Sequence, residues 1–471
     1  MSAIRHSYSE TVFSTAAAVV LSALFVALFS TSTSPLFSTD GGDSVIYRML
    51  GLGILHGRMP YVDIFDNKGL LLYLIEALGQ WMLPGRCGIF LLQVLSLSVT
   101  MVFSYRTLRL MLPVRKAVWA ALAALFLLGG CYQGGNRVEE YELPFLAIAF
   151  YYGLQCVAQN GESRKSVCRH LAIGLCFGAL VLLRPNDAIG MVGGMTLGLA
   201  LMGIYNHDYK TVVADIMAFS LAALLMFLPV AICYRNHLDS LWQGMVGING
   251  SVSGGMLGQI STLLKWAKWA ILLLMFVLAV MLWYSDRKSL LWVLVPAGML
   301  QLFFVGGKMY AHYLMPLFPL LLLYVALLFV QRNRPVLLLA VAILCLSHRP
   351  LPRMAILNAA ESIKAMGHRD TVGSTVCPIP YSERMSVWNH SLDPWREGAP
   401  MAWLVDNGIS QCNRQAFSLN EYVEELDFDA TAPLWVASCN DEFEQLAART
   451  DYQPMAQISY NGVDIRLYRR L

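Results

Sequence analysis

Up to about residue 350 the chain alternates long apolar runs with short polar connections. Runs near 11–30, 87–105, 117–133, 143–158, 171–184, 188–205, 212–233, 266–284, 290–305, 313–330 and 335–348 predict about 11 membrane spans, several short for a hydrocarbon core of about 30 Å. No small-residue cleavage site follows the first run, which therefore reads as a span and not as a removed signal peptide. Two further patterns, between the first and second runs, are too short to span. Asp43 suits the N-cap of a helix over about 44–56 that Gly57 stops. After the extended turn forced by Pro60-Tyr61, Asp66 or Asn67 suits the cap of a second helix over roughly 68–83. At about 1.5 Å per residue these helices reach only about 20 Å, so they are expected to lie in the membrane interface. On the second helix Lys68, Leu72 and Glu76 would share one face.

The connections also alternate in charge. One set holds Arg106, Arg109, Arg115, Lys116, Arg164, Lys165, Arg169, Lys210, Arg287, Lys288, Arg332 and Arg334. The other holds only Arg137, Arg184, Arg235, Lys265, Lys268 and Lys308. The richer set is expected in the cytoplasm. That places residues 31–86, the loops at 134–142, 185–187, 234–263 and 306–312, and the C-terminus outside. A span at 69–83 would invert this bias.

After residue 350 the pattern changes. No run there is long enough to span, and Asp, Glu and Asn accumulate. Ser418 and Glu421 fit a capping box for a helix near 419–426. A strand over Leu434–Ala437, a helix over Asp441–Ala448 and a hairpin over 454–468 turned at Asn461-Gly462 complete the pattern. The expected fold class is thus an α-helical polytopic membrane protein over 1–350 with two interfacial helices in its first outer loop, followed by a small extracytoplasmic α/β domain over 351–471.

Composition agrees. Of 471 residues 57% are hydrophobic and 14% charged, and the mean hydropathy is +0.53. A soluble domain carries about 25% charged residues. The net charge of +3 and the lack of a basic arm or zinc-ligand spacing point away from nucleic acid. Most cysteines sit in or beside apolar runs as small hydrophobes. Of Cys377, Cys412 and Cys439 in the polar part, two could pair outside the cell.

The outer loops collect the unusual charges. Residues 40–76 carry Asp40, Asp43, Asp63, Asp66, Lys68 and Glu76; other loops carry Asn136 to Glu142 (NRVEEYE), Arg184 to Asp187 (RPND) and Gly306 to Tyr313 (GGKMYAHY). Charges at a bilayer are costly unless they meet water, a partner or a substrate. Chemistry on a lipid-linked substrate uses such a mixture: cations for a phosphate, a carboxylate base for an attacking hydroxyl. Each residue also has a structural reading. Asp40 and Asp43 fit a turn and a cap, Asp63 and Asp66 likewise. Lys68 fits a snorkelling side chain, Glu139 and Glu140 a helix start, Arg184 an anchor, and His312 and Tyr313 an interface belt.

The pattern Asp43-Ser44 with Tyr47, Gly57, Pro60-Tyr61, Asp63, Asp66 and Lys68-Gly69 resembles bacterial GT-C glycosyltransferases, relatives of protein O-mannosyltransferases and of the enzyme adding aminoarabinose to lipid A. Later matches run in the family's order: Glu139 to Pro144, Arg184 to Asn186, and His312 to Pro319. The chain departs from the family at Asn67, where His is frequent, and at Leu70, where Pro is frequent. The resemblance implies a multi-span fold with two interfacial helices and a polyprenyl-phosphate-sugar donor. The acceptor would be a glycolipid, polysaccharide or protein at the outer face of the cytoplasmic (inner) membrane. It implies Asp43 as the base and Lys68 as a phosphate ligand, with Arg184, His312 and Tyr313 as further phosphate contacts. Asp40, Tyr61, Asp63, Asp66, Glu139, Glu140 and Lys308 would line the substrate. A divalent metal at Asp40, Asp43 or a nearby Glu is compatible with this chemistry and not demanded by it; no metal ligand set is assigned. The rival readings are a flippase for a lipid-linked sugar, which would want ionisable residues at mid-span, and a non-catalytic scaffold of envelope assembly.

Overall fold

The computed structural model describes residues 8–37, 43–64, 66–83, 85–158, 163–247, 266–283, 285, 287–304, 311–330, 385–387, 399–407, 409, 434–439, 443–444, 447, 451–460 and 463–471. Asp40, Lys308, Cys377, Cys412, the expected span at 335–348 and the expected helix at 419–426 lie outside them. In chain order the main helices are α1 (Tyr8–Phe29), α2 (Asp43–Leu55), α3 (Leu70–Met82), α4 (Cys87–Arg109), α5 (Val114–Gly129), α6 (Val138–Ala158) and α7 (Ser163–Leu183). They continue with α8 (Pro185–Tyr205), α9 (Tyr209–Cys233), α10 (Trp266–Trp283), α11 (Leu291–Phe304), α12 (Phe318–Val330) and α13 (Ala399–Asp406). The expected apolar runs from 11–30 to 313–330 all fall on these helices. Among the described residues six helices are long and apolar enough to cross a membrane, with shorter apolar ones between them. The chain is therefore a multi-pass membrane protein. On α9, Met217, Leu221, Leu224, Leu225 and Leu228 point outward as a continuous apolar face for lipid.

The chain forms two compact units. One takes Met1–Leu24, Val94–Gln133 and Val138–Leu351; the other takes Phe25–Gln93, Gly134–Arg137 and Pro352–Leu471.

In the first unit α7 and α9 pack at close range because Gly174 has no side chain. A Cβ there would sit 2.3 Å from the Phe219 carbonyl oxygen and 2.9 Å from the Ala222 Cβ. Small residues at such crossings let membrane helices meet backbone to backbone. Polar staples add to the packing. Glu10 accepts from the Tyr105 hydroxyl and the Arg109 Nε, each at 2.8 Å, which ties α1 to α4. Asp215 of α9 accepts from the Ser166 hydroxyl of α7 at 2.7 Å and lies 3.3 Å from His170 Nδ1. Helix α8 opens with Pro185 in its first turn and widens to i→i+5 bonding over Ala188–Gly193, a distortion frequent at functional sites.

In the second unit α2 and α3, each of 13 residues, pack against one another. The starts and stops near 44–56 and 68–83 are close to those expected, and Gly57 takes the left-handed φ of +78° that ends α2. The expected cap of α3 is not made. Gly69 occupies that position with no side-chain cap, and Lys68 precedes the helix, so it does not share a helical face with Leu72 and Glu76. Asp66 is drawn away from the cap by Tyr73, whose hydroxyl it accepts.

The same unit holds the only described sheet, ordered β1-β2-β4-β3: β1 (Met385–Val387), β2 (Trp435–Ser438), β3 (Tyr452–Tyr460) and β4 (Val463–Arg470). β1 pairs with β2 in parallel; β2 with β4 and β3 with β4 are antiparallel. The expected strand near 434–437 is thus present, and so are the two paired strands of the expected hairpin, whose turn residues 461–462 lie outside the described residues. The part of 441–448 that is described, 443–444 and 447, is helical. β1 and α13 carry no alternating or heptad signal strong enough to have announced them.

A Cβ on Gly51 of α2 would lie 2.6 Å from the Glu76 Cβ and 2.7 Å from the Ala77 backbone nitrogen of α3. Backbone cannot yield there as a flexible side chain could. Gly51→Val is expected to cost at least about 1–3 kcal/mol, read as a lower unfolding temperature in detergent; unchanged melting would show that α2 and α3 do not meet at this residue.

Candidate functional site

In the second unit the first candidate, Asp43, stands in the opening turn of α2, where the helix dipole favours a carboxylate. Its side chain is 48% exposed, and its Oδ2 accepts from the Arg137 Nη1. Arg137 arrives on a tight loop. Gln133, Gly134, Gly135 and Asn136 all have positive φ, and a Cβ on Gly135 would collide with Ser30, 2.2 Å from its hydroxyl. Asn136, fully buried, donates from Nδ2 to the Ser44 hydroxyl at 2.9 Å. The loop is thereby tied to the residue after Asp43 as well as to Asp43 itself.

Lys68 lies on a second tight segment of this unit. Its backbone carbonyl accepts from the Tyr61 hydroxyl at 2.5 Å, and its backbone N–H donates to the Tyr73 hydroxyl at 2.9 Å. Both tyrosines are buried, their ring centroids 6.0 Å apart. Tyr61 holds a φ of +64°, strained for a bulky residue and kept by the pairing of Pro60 with Ile64. The Tyr73 hydroxyl donates in turn to Asp66 Oδ2 at 3.0 Å, and Lys68 Nζ donates to Asn67 Oδ1 at 2.9 Å. Two phenols thus fix the backbone of Lys68, a residue that is half-buried as a whole. Burial pushes the Asp66 carboxyl above its ordinary value. Lys68 opposes this most, followed by the hydrogen bonds of Asn67 and Tyr73, and Asp43 adds a small upward push. Asp43, Asp66 and Lys68 therefore share one electrostatic neighbourhood. Asp63 does not join it: it is exposed and accepts the Met59 N–H at 2.6 Å, holding the turn.

The first unit carries a separate cluster around Arg184, at the junction of α7 and α8. Its Nη1 donates to Glu139 Oε1, its Nε lies 3.2 Å from Asp187 Oδ2, and its guanidinium sits 4.4 Å from the centre of the Tyr313 ring. His312 Nε2 is 4.0 Å from the same Glu139 oxygen, and its Nδ1 is 2.5 Å from Gln133 Oε1. Asp187 Oδ1 accepts from Gln301 of α11 at 2.5 Å. Glu142, fully buried one turn beyond Glu139, faces the same charges of Asp187, Arg184 and Glu139. Glu140 leaves the cluster and bonds with Tyr132. Three carboxylates, one guanidinium and one imidazole therefore converge where apolar helices meet. Such a group can receive a proton, hold a polar headgroup, or both.

Sequence reasoning singled out Glu139, Arg184, His312 and Tyr313, and these four do come together. Asp187, Glu142, Arg137 and Asn136 stood within charged loops but were given no role, and Gln301 was passed over. The first two were legible as i+3 neighbours of Arg184 and Glu139. Gln301 is a lone amide inside an otherwise apolar helix, where a polar side chain needs a partner. Arg137 and Asn136 stood in a charged stretch, but nothing local pointed them to Asp43 and Ser44. Among the described residues no group of three or more His, Cys, Asp or Glu is placed to hold a metal ion.

No family model matches the sequence, and no curated protein matches it. Solved structures do. ArnT from Cupriavidus metallidurans in the apo state superposes at a TM-score of 0.59 with 13% identity, over 97% of this chain and 98% of that one. The same protein bound to undecaprenyl phosphate gives 0.58 at 13% identity over the same shares. The Archaeoglobus fulgidus oligosaccharyltransferase AglB, in complex with an inhibitory peptide and a dolichol-phosphate, gives 0.44 at 13% identity, over 98% of this chain and 74% of that one. This chain therefore has the fold of the ArnT structures, the GT-C-like multi-span fold expected from the sequence.

The raised carboxyl of Asp66 sets a direction for stability. From about pH 4 up to its raised value, the folded protein keeps a proton that the unfolded chain releases. The group therefore costs stability progressively as pH rises through that window, and in full above it. Asp66→Asn should gain stability relative to wild type as pH rises above about 4, followed by thermal unfolding in detergent; a pH-independent difference would mean the charged carboxylate is held at no cost.

Proposed function

We propose that this multi-pass protein of GT-C fold transfers a sugar from a polyprenyl-phosphate-linked donor to a cell-envelope acceptor. The acceptor would be a glycolipid, a polysaccharide or a protein. The reaction would run at the outer face of the cytoplasmic membrane, with residues 351–471 on that same face. The observation that carries the reading is Asp43: a half-exposed carboxylate at a helix start, held through one oxygen by Arg137, with Lys68 and Asp66 in its electrostatic neighbourhood.

In the proposed reaction the acceptor hydroxyl attacks the anomeric carbon as the bond from that carbon to the phosphate oxygen breaks. The hydroxyl proton passes to Asp43, and Arg137 keeps the receiving carboxylate in place, as a third group orients the base in other acid–base sites. The leaving polyprenyl phosphate needs no proton, only a cation. Lys68 supplies it, on a backbone that Tyr61 and Tyr73 hold still. Inversion at the anomeric carbon follows from direct displacement. Arg184, with His312 and Tyr313, is proposed as a phosphate contact on its own chemistry. Its charge is already offset by Glu139 and Asp187, so a phosphate there has to displace a carboxylate or meet it protonated.

Purified protein would be incubated with polyprenyl-phosphate-linked sugars and membrane extract, and release of polyprenyl phosphate and labelling of acceptor followed. Asp43→Asn should melt as wild type does and lose about 10²–10⁴-fold in turnover; transfer at the wild-type rate would remove Asp43 as the base. Lys68→Ala should keep the fold and lower kcat/KM for the donor at least about 10-fold, with Lys68→Arg recovering part of it. Unaltered donor kinetics in Lys68→Ala would take the phosphate away from that residue. Sugar-lipid moved between leaflets with no phosphate released would replace the transferase by a flippase.

A further inference from the structure

Arg48 lies five residues after Asp43 on α2, about 7.5 Å further along the helix axis. On a short interfacial helix an arginine is expected to reach water. Here it is fully buried, and a buried guanidinium is tolerated only when paired. Its Nη2 donates to Oδ1 of Asp406, the last residue of α13 and 358 positions away in sequence. The other oxygen of Asp406 accepts from the hydroxyl of Tyr460, where β3 reaches the hairpin. On the same helix Val45 and Met49 enter the core of the C-terminal sheet, against Trp403, Leu404, Trp435, Ile465 and Leu467. The Arg48 carbonyl accepts from Gln80 of α3 at 2.8 Å. The helix that begins with Asp43 is therefore part of the hydrophobic core of the C-terminal sheet and is held there by the ion pair of its buried arginine with the more exposed Asp406.

We propose that Asp406 and Tyr460 are positioning residues for Asp43: by capturing Arg48 they set the tilt and register of α2, so that sugar transfer runs only while the C-terminal domain is docked on this helix. The proposal rests on the reading of Asp43 as the base. A helix held only by its apolar face is free to rock on a greasy surface; a carboxylate that holds the buried guanidinium through one oxygen and the Tyr460 hydroxyl through the other fixes one rotation and one height. Displacing a base by about 1 Å is enough to cost about 100-fold in rate. The domain would thus gate transfer without touching the substrate, and whatever loosens Asp406 from Arg48 would switch it off.

The test uses the full-length protein in lipid nanodiscs. Amide hydrogen exchange over 43–55 and steady-state transfer kinetics would be measured for wild type, Asp406→Asn, Tyr460→Phe and Arg48→Lys. Asp406→Asn is expected to exchange at least about 10-fold faster over 43–55 and to lose about 10–100-fold in kcat, with KM for the donor within about twofold. Tyr460→Phe, which keeps the ion pair, should fall between it and wild type, and Arg48→Lys should recover more turnover than Asp406→Asn. If Asp406→Asn fails to fold, Tyr460→Phe decides by the same two readouts. Unchanged exchange over 43–55 would overturn the clamp. Faster exchange with unchanged kcat would reduce it to a structural tie and overturn its positioning role. Loss confined to KM would do the same. A wild type that turns over no donor would remove the reading of Asp43 and this proposal together, whereas an active wild type with an equally active Asp406→Asn removes this proposal alone.

Discussion

A charge taken out of water has to be met where it lies, and much of this molecule is arranged around that requirement. The cost of leaving a guanidinium unpaired in an apolar surrounding is several kcal/mol. Each buried or half-buried arginine at a candidate site accordingly has a carboxylate: Arg48 has Asp406, Arg137 has Asp43, and Arg184 has Glu139 and Asp187. Away from those sites Arg109 has Glu10. The pairs differ in what they leave over. Arg48 and Asp406 close on each other and on Tyr460. Asp43, by contrast, stays nearly half exposed beyond its contact with Arg137, and reactivity needs that remainder.

The apolar scaffold makes such pairing possible by bringing backbone close to backbone. Where α7 meets α9 and where α2 meets α3, a glycine removes the one atom that would keep the helices apart. Side chains that follow are then held at fixed heights. The tight loop through Gly134 and Gly135 works likewise, delivering Arg137 to Asp43 because glycine tolerates the left-handed backbone that the turn requires. Rigid backbone around a half-free carboxylate is a common design for acid–base chemistry, since precision belongs to the scaffold and reactivity to one exposed atom.

The two interfacial helices were legible because length is a strong signal: 13 apolar-rich residues bounded by Asp43 and Gly57 cannot cross a bilayer. The apolar runs were legible for the same reason, and the Asn461-Gly462 hairpin from its turn chemistry. What escaped was decided by partners distant in sequence. Asp66 has the right chemistry for a cap, but Tyr73 takes it, and no local rule ranks a phenol seven residues away above a free helix terminus. Arg48 carries no motif and was given no role. Nothing within reach of it in the sequence announces Asp406. Glu142 and Asp187 were a different case: their spacing from Glu139 and Arg184 was in view, and only the convergence of four elements gave it meaning.

The distance in sequence between α2 and its core has a consequence for how the protein is made. A ribosome adding about 5–20 residues each second takes roughly 20–70 s to travel from Arg48 to Asp406. Throughout that interval Val45, Met49 and an unmatched arginine belong to a nascent chain that has no place to bury them. Insertion of the spans can proceed in order, but this helix cannot finish folding until the last strands have been synthesised and delivered to it. A chain cut short anywhere before them leaves α2 without its core, which makes the newborn protein dependent on being protected from proteases and from its neighbours until translation ends.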